Sequence, residues 1–325
     1  MQRRYETISG TAINVDDYGG EGPPIVLVHG LGGSTGNWSL VGPHLADFGR
    51  IIALDLPGHG RSGPARRHDL ATHAGTVIGL IEQRESGAVT LVGSSMGGLV
   101  TKIVAATRPD LVRSMVLLAP GTPPPAPIVP SNPAVAVRLA IQSLPGIGTP
   151  ATSRYITRFS PRGQVEESLR IVMHDPSRLP ADAFESAVAL ARLRRTMPWA
   201  SRAFAESLAA IRRLFIRRSE YLAMLDAIHA PATLVFGSED QVVAPSALRW
   251  LAEHRPGWRS IEMPDTGHTP MLERPQLVVR EVERLVSRTG IPVNGEVRNV
   301  PERPGGRGYS GEFGQENPSA GPGEA

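Results

Sequence analysis

The sequence of 325 residues has no cysteine, a single lysine and no long apolar run. Without cysteine the chain can form neither disulfides nor a cysteine-ligated zinc site, and it has no thiol nucleophile. The segment MQRRYETISG has no apolar stretch after its arginines, so no signal peptide is predicted. No later stretch approaches the roughly 18 apolar residues of a membrane span. We therefore expect a cytoplasmic protein.

Acidic residues are scarce in the middle of the chain. Residues 121–230 contain 14 arginines and only 8 acidic residues, which leaves a net charge of +6, although the whole chain carries only +3. A basic block of this kind is typical of a solvated helical surface, with contact to an anionic membrane as the alternative. The sequence has no zinc-ligand spacing, no RNA-binding signature and no phosphate loop, so we expect no metal, cofactor or nucleic-acid partner.

Apolar runs that suit buried strands alternate with segments of helical length in the first 120 residues and resume near residue 231. The strand candidates are YETISG, TAINVDDYG, IVLVHG, RIIALDLPG, VTLVGSS, SMVLLAPG, PATLVFGSED and WRSIEMPDTGH, with helices over 70–84, 96–108 and 276–288. Such alternation predicts an α/β fold with a mostly parallel, twisted sheet covered by helices on both faces.

The rhythm is interrupted between residues 121 and 228, where a proline-rich stretch precedes about a hundred residues of helical periodicity. We interpret residues 1–120 and 229–290 as one core and residues 121–228 as a helical cap. Within the cap, residues 208–228 form an amphipathic helical stretch. Its apolar residues could share one face for packing or, less simply, for membrane contact: Leu208, Ile211, Phe215, Leu222 and Leu225. Residues 291–325 are rich in Gly and Pro and are predicted to be disordered.

The stretch LVGSSMGGLV, residues 91–100, contains G-x-S-x-G centred on Ser95. The motif alone is weak in a chain with 35 glycines, but here it follows a predicted strand and opens a predicted helix, as a nucleophile elbow must. The turn would project the Ser95 hydroxyl from the carboxyl edge of the sheet, where open α/β sheets bind ligands. Ser94 belongs to the strand end and is predicted to be structural.

A serine hydroxyl needs a base, and the base needs an acid that fixes its tautomer. His268 follows the last predicted strand, and Asp240 follows the strand before it. Both should therefore lie over the same sheet edge as Ser95. Glu239 and Asp265 remain rivals for the acid, whereas Asp55 and Asp110 are structural candidates only.

A tetrahedral intermediate also needs hydrogen-bond donors for its oxyanion. The backbone N–H of Met96, directly after the serine, is one candidate. The second is the N–H of Leu31 in the glycine-rich loop after the first parallel strand. His29, Gly30 and Gly32 are interpreted as support for that loop.

These motifs resemble the α/β-hydrolase family in order and approximate spacing: HGLGG, DLPGHGRS, GSSMGG, GSEDQVV and GHTPMLERP. The resemblance covers residues 1–120 and 229–290, and the insertion is similar to the variable cap by position. It implies a Ser95–Asp240–His268 triad with oxyanion donors at Leu31 and Met96. Serine at position 95 argues against the dehalogenases and epoxide hydrolases of the family, which use an aspartate nucleophile.

The resemblance implies a carboxylesterase- or lipase-like serine hydrolase that acts on a small hydrophobic ester or acyl compound. Hydrolysis of a carbon–carbon bond in a dienoate, acyl transfer and perhydrolysis on the same site remain alternatives. Thr269 stands where the carbon–carbon hydrolases commonly have Trp, which disfavours that alternative. A non-catalytic small-molecule binding protein is the alternative from another class. The oligomeric state is left open.

Overall fold

The computed structural model describes residues 1–85, 87–123 and 130–288. Its strands are β1 (Gln2–Ile8), β2 (Thr11–Gly19), β3 (Pro24–Val28), β4 (Arg50–Leu54), β5 (Val89–Ser94), β6 (Val112–Leu118), β7 (Ala232–Gly237) and β8 (Arg259–Met263). They form one sheet in the order β1-β2-β4-β3-β5-β6-β7-β8. β2 pairs antiparallel with β1 and β4, and all other pairs are parallel.

In the first part of the chain, one α-helix lies between each strand and the next from β3 to β6. These helices are α1 (Gly42–Leu45), α2 (Leu70–Arg84) and α3 (Met96–Thr107). Between β6 and β7 lie α4 (Pro133–Gln142), α5 (Gly148–Arg158), α6 (Pro161–Val172), α7 (Ala181–Arg194), α8 (Ala200–Ile216) and α9 (Arg218–Asp226). After β7 come α10 (Pro245–His254), α11 (Pro270–Glu273) and α12 (Pro275–Arg288).

The sheet has a hydrophobic core on each face because successive side chains of a strand point to opposite sides. On β3, Val26 and Val28 belong to the core that also contains α2, α3 and α10. Their neighbours Ile25 and Leu27 belong to the core that contains α1 and α12. A strand covered on both faces must be apolar at every position, which explains the uninterrupted run IVLV. The predicted α/β fold with a mostly parallel sheet and helices on both faces is confirmed.

The structure differs from the prediction for residues 208–228, which do not form a single helix. α8 ends at Ile216, Arg217 adopts φ −85 and ψ 62, and α9 begins at Arg218. The break lets the two helices contribute to the first core separately: Leu225 is buried there, and Ile211 and Phe215 pack against it. Leu208 is buried as well, outside that core. This stripe is therefore a packing surface. The predicted tail, residues 291–325, lies outside the described residues.

Candidate active site

Ser95 occupies a strained turn between β5 and α3. Its φ of 52 and ψ of −115 lie in a region that side chains with a Cβ rarely adopt. Two backbone hydrogen bonds hold it there: the Ser95 N–H donates to the carbonyl of Leu118 at 2.9 Å, and the N–H of Gly121 donates to the Ser95 carbonyl at 2.9 Å. The half-buried Ser95 hydroxyl takes part in no hydrogen bond among the described residues, whereas Ser94 is buried at the end of the strand.

The turn requires glycine because α3 approaches the end of β3 very closely. A Cβ on Gly97 would lie 2.1 Å from the carbonyl oxygen of Val28 and 2.5 Å from that of His29. A Cβ on Gly30 would lie 3.0 Å from the Cβ of Ser95. The close approach places the N-terminus of α3, with its unpaired N–H groups and positive dipole, beside the loop that follows β3.

His268 and Asp240 form a buried hydrogen-bonded pair. The His268 Nδ1 lies 2.7 Å from Asp240 Oδ2, and the two residues are only 5% and 1% exposed. The other carboxylate oxygen, Oδ1, accepts from the backbone N–H groups of Val242 and Val243 at 2.8 and 2.9 Å. These donors orient the carboxylate, so that Nδ1 of His268 carries the shared proton and Nε2 is left as the basic nitrogen.

The loops that carry this pair are joined by backbone contacts at the sheet edge. Ser238 N–H donates to the carbonyl of Met263, and Glu239 N–H donates to that of Thr266. A Cβ on Gly237 would lie 2.0 Å from the Thr266 oxygen, so glycine is needed where β7 ends. The side chains of the rival acids Glu239 and Asp265 are both exposed, and neither contacts His268.

Leu31 and Met96 lie on the two segments that meet beside Ser95. Leu31 is half-buried in the loop after β3, and Met96 is the first residue of α3. Within the part of the chain that the structure describes, neither backbone N–H donates to a loop or turn carbonyl. Both donors therefore remain available for a ligand oxygen.

His29 braces this loop and is itself neutral. Its Nδ1–H donates to the carbonyl of Gly30 at 2.7 Å, and its Nε2 accepts from the N–H of Leu56 at 3.0 Å. Burial lowers the pKa of His29 to about 4. The N–H of Gly33 closes the turn by donating to the Gly30 carbonyl at 2.9 Å, and Gly32 adopts φ 67. The role of His29, Gly30 and Gly32 as support for the loop stays a prediction, which these contacts favour.

Asp55 of the DLPGHG segment has a structural role: its carboxylate holds neighbouring segments by hydrogen bonds. The carboxylate accepts from the N–H groups of Thr35 and Arg61 at 2.6 and 2.8 Å and from the amide of Asn14 at 2.9 Å. Burial raises the pKa of Asp55 to about 6. All its partners belong to surrounding loops or to β2, so Asp55 ties those loops together.

Two supporting residues were not identified from the sequence, because each contacts a segment that lies far away in the chain. Arg194, at the end of α7, donates to the Gly33 carbonyl at 2.8 Å. Glu273 is buried and accepts from the N–H groups of Gly267 at 2.8 Å and of His174 at 3.0 Å. Glu273 thus fixes the residue next to His268. The sequence indicated Glu273 only through its place in GHTPMLERP, one of the segments that carry the family resemblance.

The described residues offer no group of three His, Asp or Glu side chains that could ligate one metal ion. None of the helices within them is both long enough and apolar enough to cross a membrane.

Comparisons with known proteins extend over most of the chain. The model described as the alpha/beta hydrolase family matches residues 25–281. The dihydrolipoyllysine-residue acetyltransferase component of the acetoin cleaving system from Pseudomonas putida is 29% identical over 280 residues, which are 85% of this chain and 66% of that protein. The chain thus spans slightly less than two thirds of that relative.

A second relative is matched over most of its own length. The pimeloyl-acyl-carrier-protein methyl ester esterase from Neisseria meningitidis is 28% identical over 257 residues, which are 76% of this chain and 87% of the esterase. Among solved structures, the meta-cleavage product hydrolase from Pseudomonas fluorescens IP01 superposes with a TM-score of 0.70 at 19% identity, over 88% of this chain and 98% of that chain. The last similarity is one of fold.

Proposed function

The chain belongs to the alpha/beta hydrolase family, and from this premise we propose that it hydrolyses carboxylic esters through an acyl intermediate on Ser95. The observation that carries the proposal is the buried hydrogen bond between His268 Nδ1 and Asp240 Oδ2, 2.7 Å long, on the sheet edge from which Ser95 projects. The similarity to a methyl ester esterase favours an ester over other acyl compounds.

The proposed reaction has two halves. In the first, His268 Nε2 accepts the Ser95 hydroxyl proton as the oxygen attacks the ester carbonyl, and Asp240 stabilises the imidazolium that forms. The N–H groups of Leu31 and Met96 stabilise the oxyanion. His268 then donates its proton to the leaving alcohol. In the second half, His268 takes a proton from water as the water oxygen attacks the acyl carbonyl. The Ser95 oxygen then leaves, takes the proton back from His268, and the acid is released.

The helices between β6 and β7 are proposed to form a cap that selects the substrate. Two of their connections reach the proposed base and the oxyanion loop. The carbonyl of Val172, at the end of α6, accepts from the N–H groups of His268 and Thr269 at 2.8 and 3.1 Å. Arg194 of α7 contacts Gly33. A cap fixed to both the base and the oxyanion loop can define the acyl pocket without contributing to the chemistry.

The two adjacent serines allow a direct test. We expect a fluorophosphonate probe to label the native protein at Ser95, and p-nitrophenyl esters to be turned over. Ser95→Ala should abolish labelling and lower kcat by about 10⁴-fold or more, because base and nucleophile act as a unit. Ser94→Ala is the matched control and should keep both activities, since Ser94 is buried in the strand.

Three outcomes would contradict the proposal. Equal ester turnover by Ser95→Ala would place the chemistry elsewhere. Faster turnover of a vinylogous diketone than of any ester would indicate carbon–carbon bond hydrolysis. Saturable ligand binding with neither turnover nor a covalent adduct would indicate a binding protein.

A further inference from the structure

Four large apolar side chains are exposed together where α4 turns into α5. Val137 is 60% exposed, Ile141 44%, Leu144 39% and Ile147 52%. These four, called here the α4 patch, make up half of the large hydrophobic side chains that are exposed among the described residues. Isolated apolar residues on a surface are ordinary, but a group within eleven consecutive positions marks an interaction surface.

The α4 patch is a second apolar side of a helix whose first side is already packed. Val135 and Gln142 of α4 are buried, with exposures of 6% and 3%. Val137 and Ile141 are four residues apart and therefore lie on one face of the helix, away from Val135. At the start of α5, a Cβ on Gly148 would lie 2.2 Å from the Gln142 carbonyl oxygen and 3.3 Å from the Ala205 side chain. The inner side of α4–α5 is thus seated on α8, and the outer side faces away from the protein.

Only positive charge accompanies the patch. Residues 121–165 contain four arginines and neither Asp nor Glu. Of these, Arg162 pairs with Glu185, whereas Arg138, Arg154 and Arg158 enter no ion pair among the described residues. Arg154 and Arg158 are exposed, and the guanidinium of Arg138 lies 4.6 Å from the centre of the Tyr155 ring.

Exposed apolar side chains beside arginines that have no acidic partner match the chemistry of an anionic membrane surface. The apolar groups can enter the boundary between headgroups and acyl chains, while each guanidinium forms hydrogen bonds to lipid phosphates. A protein partner would need acidic groups around an apolar centre. A second copy of this chain offers no such counter-charge at the patch, because it would bring the same arginines against each other.

The helix that carries the patch is connected at its start to a loop of the proposed active site. Asn132 caps the start of α4 by accepting from the N–H of Val135, and its amide donates to the side chain of Gln241 at 2.8 Å. Gln241 follows Asp240 directly. The helix that carries the patch therefore begins at the loop that holds the acid of the His268 pair.

We propose that the α4 patch docks the protein onto anionic lipid surfaces. Val137, Ile141, Leu144 and Ile147 enter the interface, and Arg138, Arg154 and Arg158 bind phosphate groups of the lipids. Docking involves no catalytic step, so it stands or falls independently of the proposed ester hydrolysis.

The test is co-sedimentation of the full chain with vesicles of phosphatidylcholine alone and of phosphatidylcholine mixed with phosphatidylglycerol. Binding is expected to the mixed vesicles, to weaken with added salt, and to be much weaker on the neutral vesicles. Arg154→Gln with Arg158→Gln should weaken binding by about fivefold for each arginine removed. Val137→Ser with Ile141→Ser should weaken it by about tenfold or more.

Matched control variants come from exposed residues outside the patch. Ile216→Ser removes a 68% exposed apolar side chain at the end of α8, and Arg280→Gln removes an exposed arginine on α12. Both should bind vesicles like the wild type. Circular dichroism and melting temperature check that every variant is folded. Folding is expected to be retained because all the substituted residues are exposed.

Three results would overturn the proposal: no binding to the mixed vesicles, patch variants that bind like the wild type, or controls that lose as much as the patch variants. Light scattering measures the oligomeric state and identifies a fourth result that would overturn the proposal. The patch is instead an interface between copies of this chain if the wild type self-associates, the patch variants are monomeric, and neither the wild type nor the variants bind vesicles.

Discussion

At the scale of single residues, the two oxygens of Asp240 have separate tasks. Oδ1 is held by the N–H groups of Val242 and Val243, and Oδ2 faces His268. The carboxylate is therefore oriented by the backbone before it orients the imidazole. The same division makes Asp240 hard to replace, since a substitute must accept on both sides.

Asp240→Asn should produce an inactive tautomer of His268. The two backbone N–H groups would hold the amide oxygen, so the amide NH₂ would face Nδ1, make it an acceptor and leave the proton on Nε2. We expect kcat on a p-nitrophenyl ester to fall by about 10³- to 10⁴-fold with little change in KM. Glu239→Gln, whose side chain is exposed, is the control and should keep full activity. Comparable losses in both variants would argue against this role for Asp240.

At the scale of elements, the site depends on how closely α3 lies against β3. The absence of a Cβ at Gly97 lets the helix start beside the carbonyl oxygens of Val28 and His29. That closeness brings the start of α3, which carries Met96, beside the loop that contains Leu31. The glycines of GSSMGG are thus required by helix–strand packing as much as by the turn itself.

Gly97→Ala should therefore lower both the free energy of unfolding and the rate of ester turnover. The added Cβ would meet the Val28 oxygen at 2.1 Å, so α3 must move, at a cost of about 2 kcal/mol or more in the free energy of unfolding. Gly75→Ala in α2 is the control, because nothing lies within 4 Å of its added Cβ. There, the higher helix propensity of alanine should stabilise by about 0.5–1 kcal/mol. Urea denaturation and ester turnover of both variants measure the contrast, and equal effects would refute it.

At the scale of the whole molecule, three buried imidazoles connect the end of β3, the loop after β4 and helix α2. The ring centroids of His29 and His59 are 5.8 Å apart, and those of His59 and His73 are 5.5 Å apart. Burial lowers the pKa of His73 to about 3, of His29 to about 4 and of His59 well below its ordinary value. All three remain neutral in the folded protein at neutral pH.

The folded state should lose stability as the pH falls from about 6.5 to about 4. In that window the unfolded chain protonates these histidines and the folded chain does not, so the unfolded state binds more protons. A pKa of about 4 for His29 against 6.5 in the unfolded chain corresponds to roughly 3 kcal/mol. Asp55 acts in the opposite direction, because its pKa is raised to about 6 and its carboxyl takes up a proton in the folded state first. Burial also raises the pKa of Glu85 and of Glu273, and these three carboxyls together do not offset the three buried histidines.

Urea denaturation at pH 7 and at pH 4.5 tests this dependence. His254→Gln is the control: His254 is exposed and the variant should keep the slope of the wild type. An unfolding free energy that stays level or rises on acidification would contradict the assignment of neutral, buried histidines.

Much of the architecture follows from local sequence signals. Continuous apolar runs such as IVLV predict strands covered on both faces, and the predicted helix 70–84 coincides with α2 because its periodicity and its cap at Asp69 agree. The break at Arg217 was not foreseen, since helical periodicity continues through it and only packing against the first core decides where α8 ends. Tertiary contact overrides propensity at such a point.

By itself, the sequence determined the fold class and the order in which a serine, an acid and a histidine follow successive strands, because periodicity and glycine placement are local properties. Only the tertiary structure decided which acid meets His268, that Arg194 and Glu273 hold the loops of the site, and that the apolar residues after Pro133 face outward. The physical reason is common to all three. Each depends on residues that lie far apart in the chain, as Glu273 and His174 do, and that come together only when the sheet and the surrounding helices are assembled.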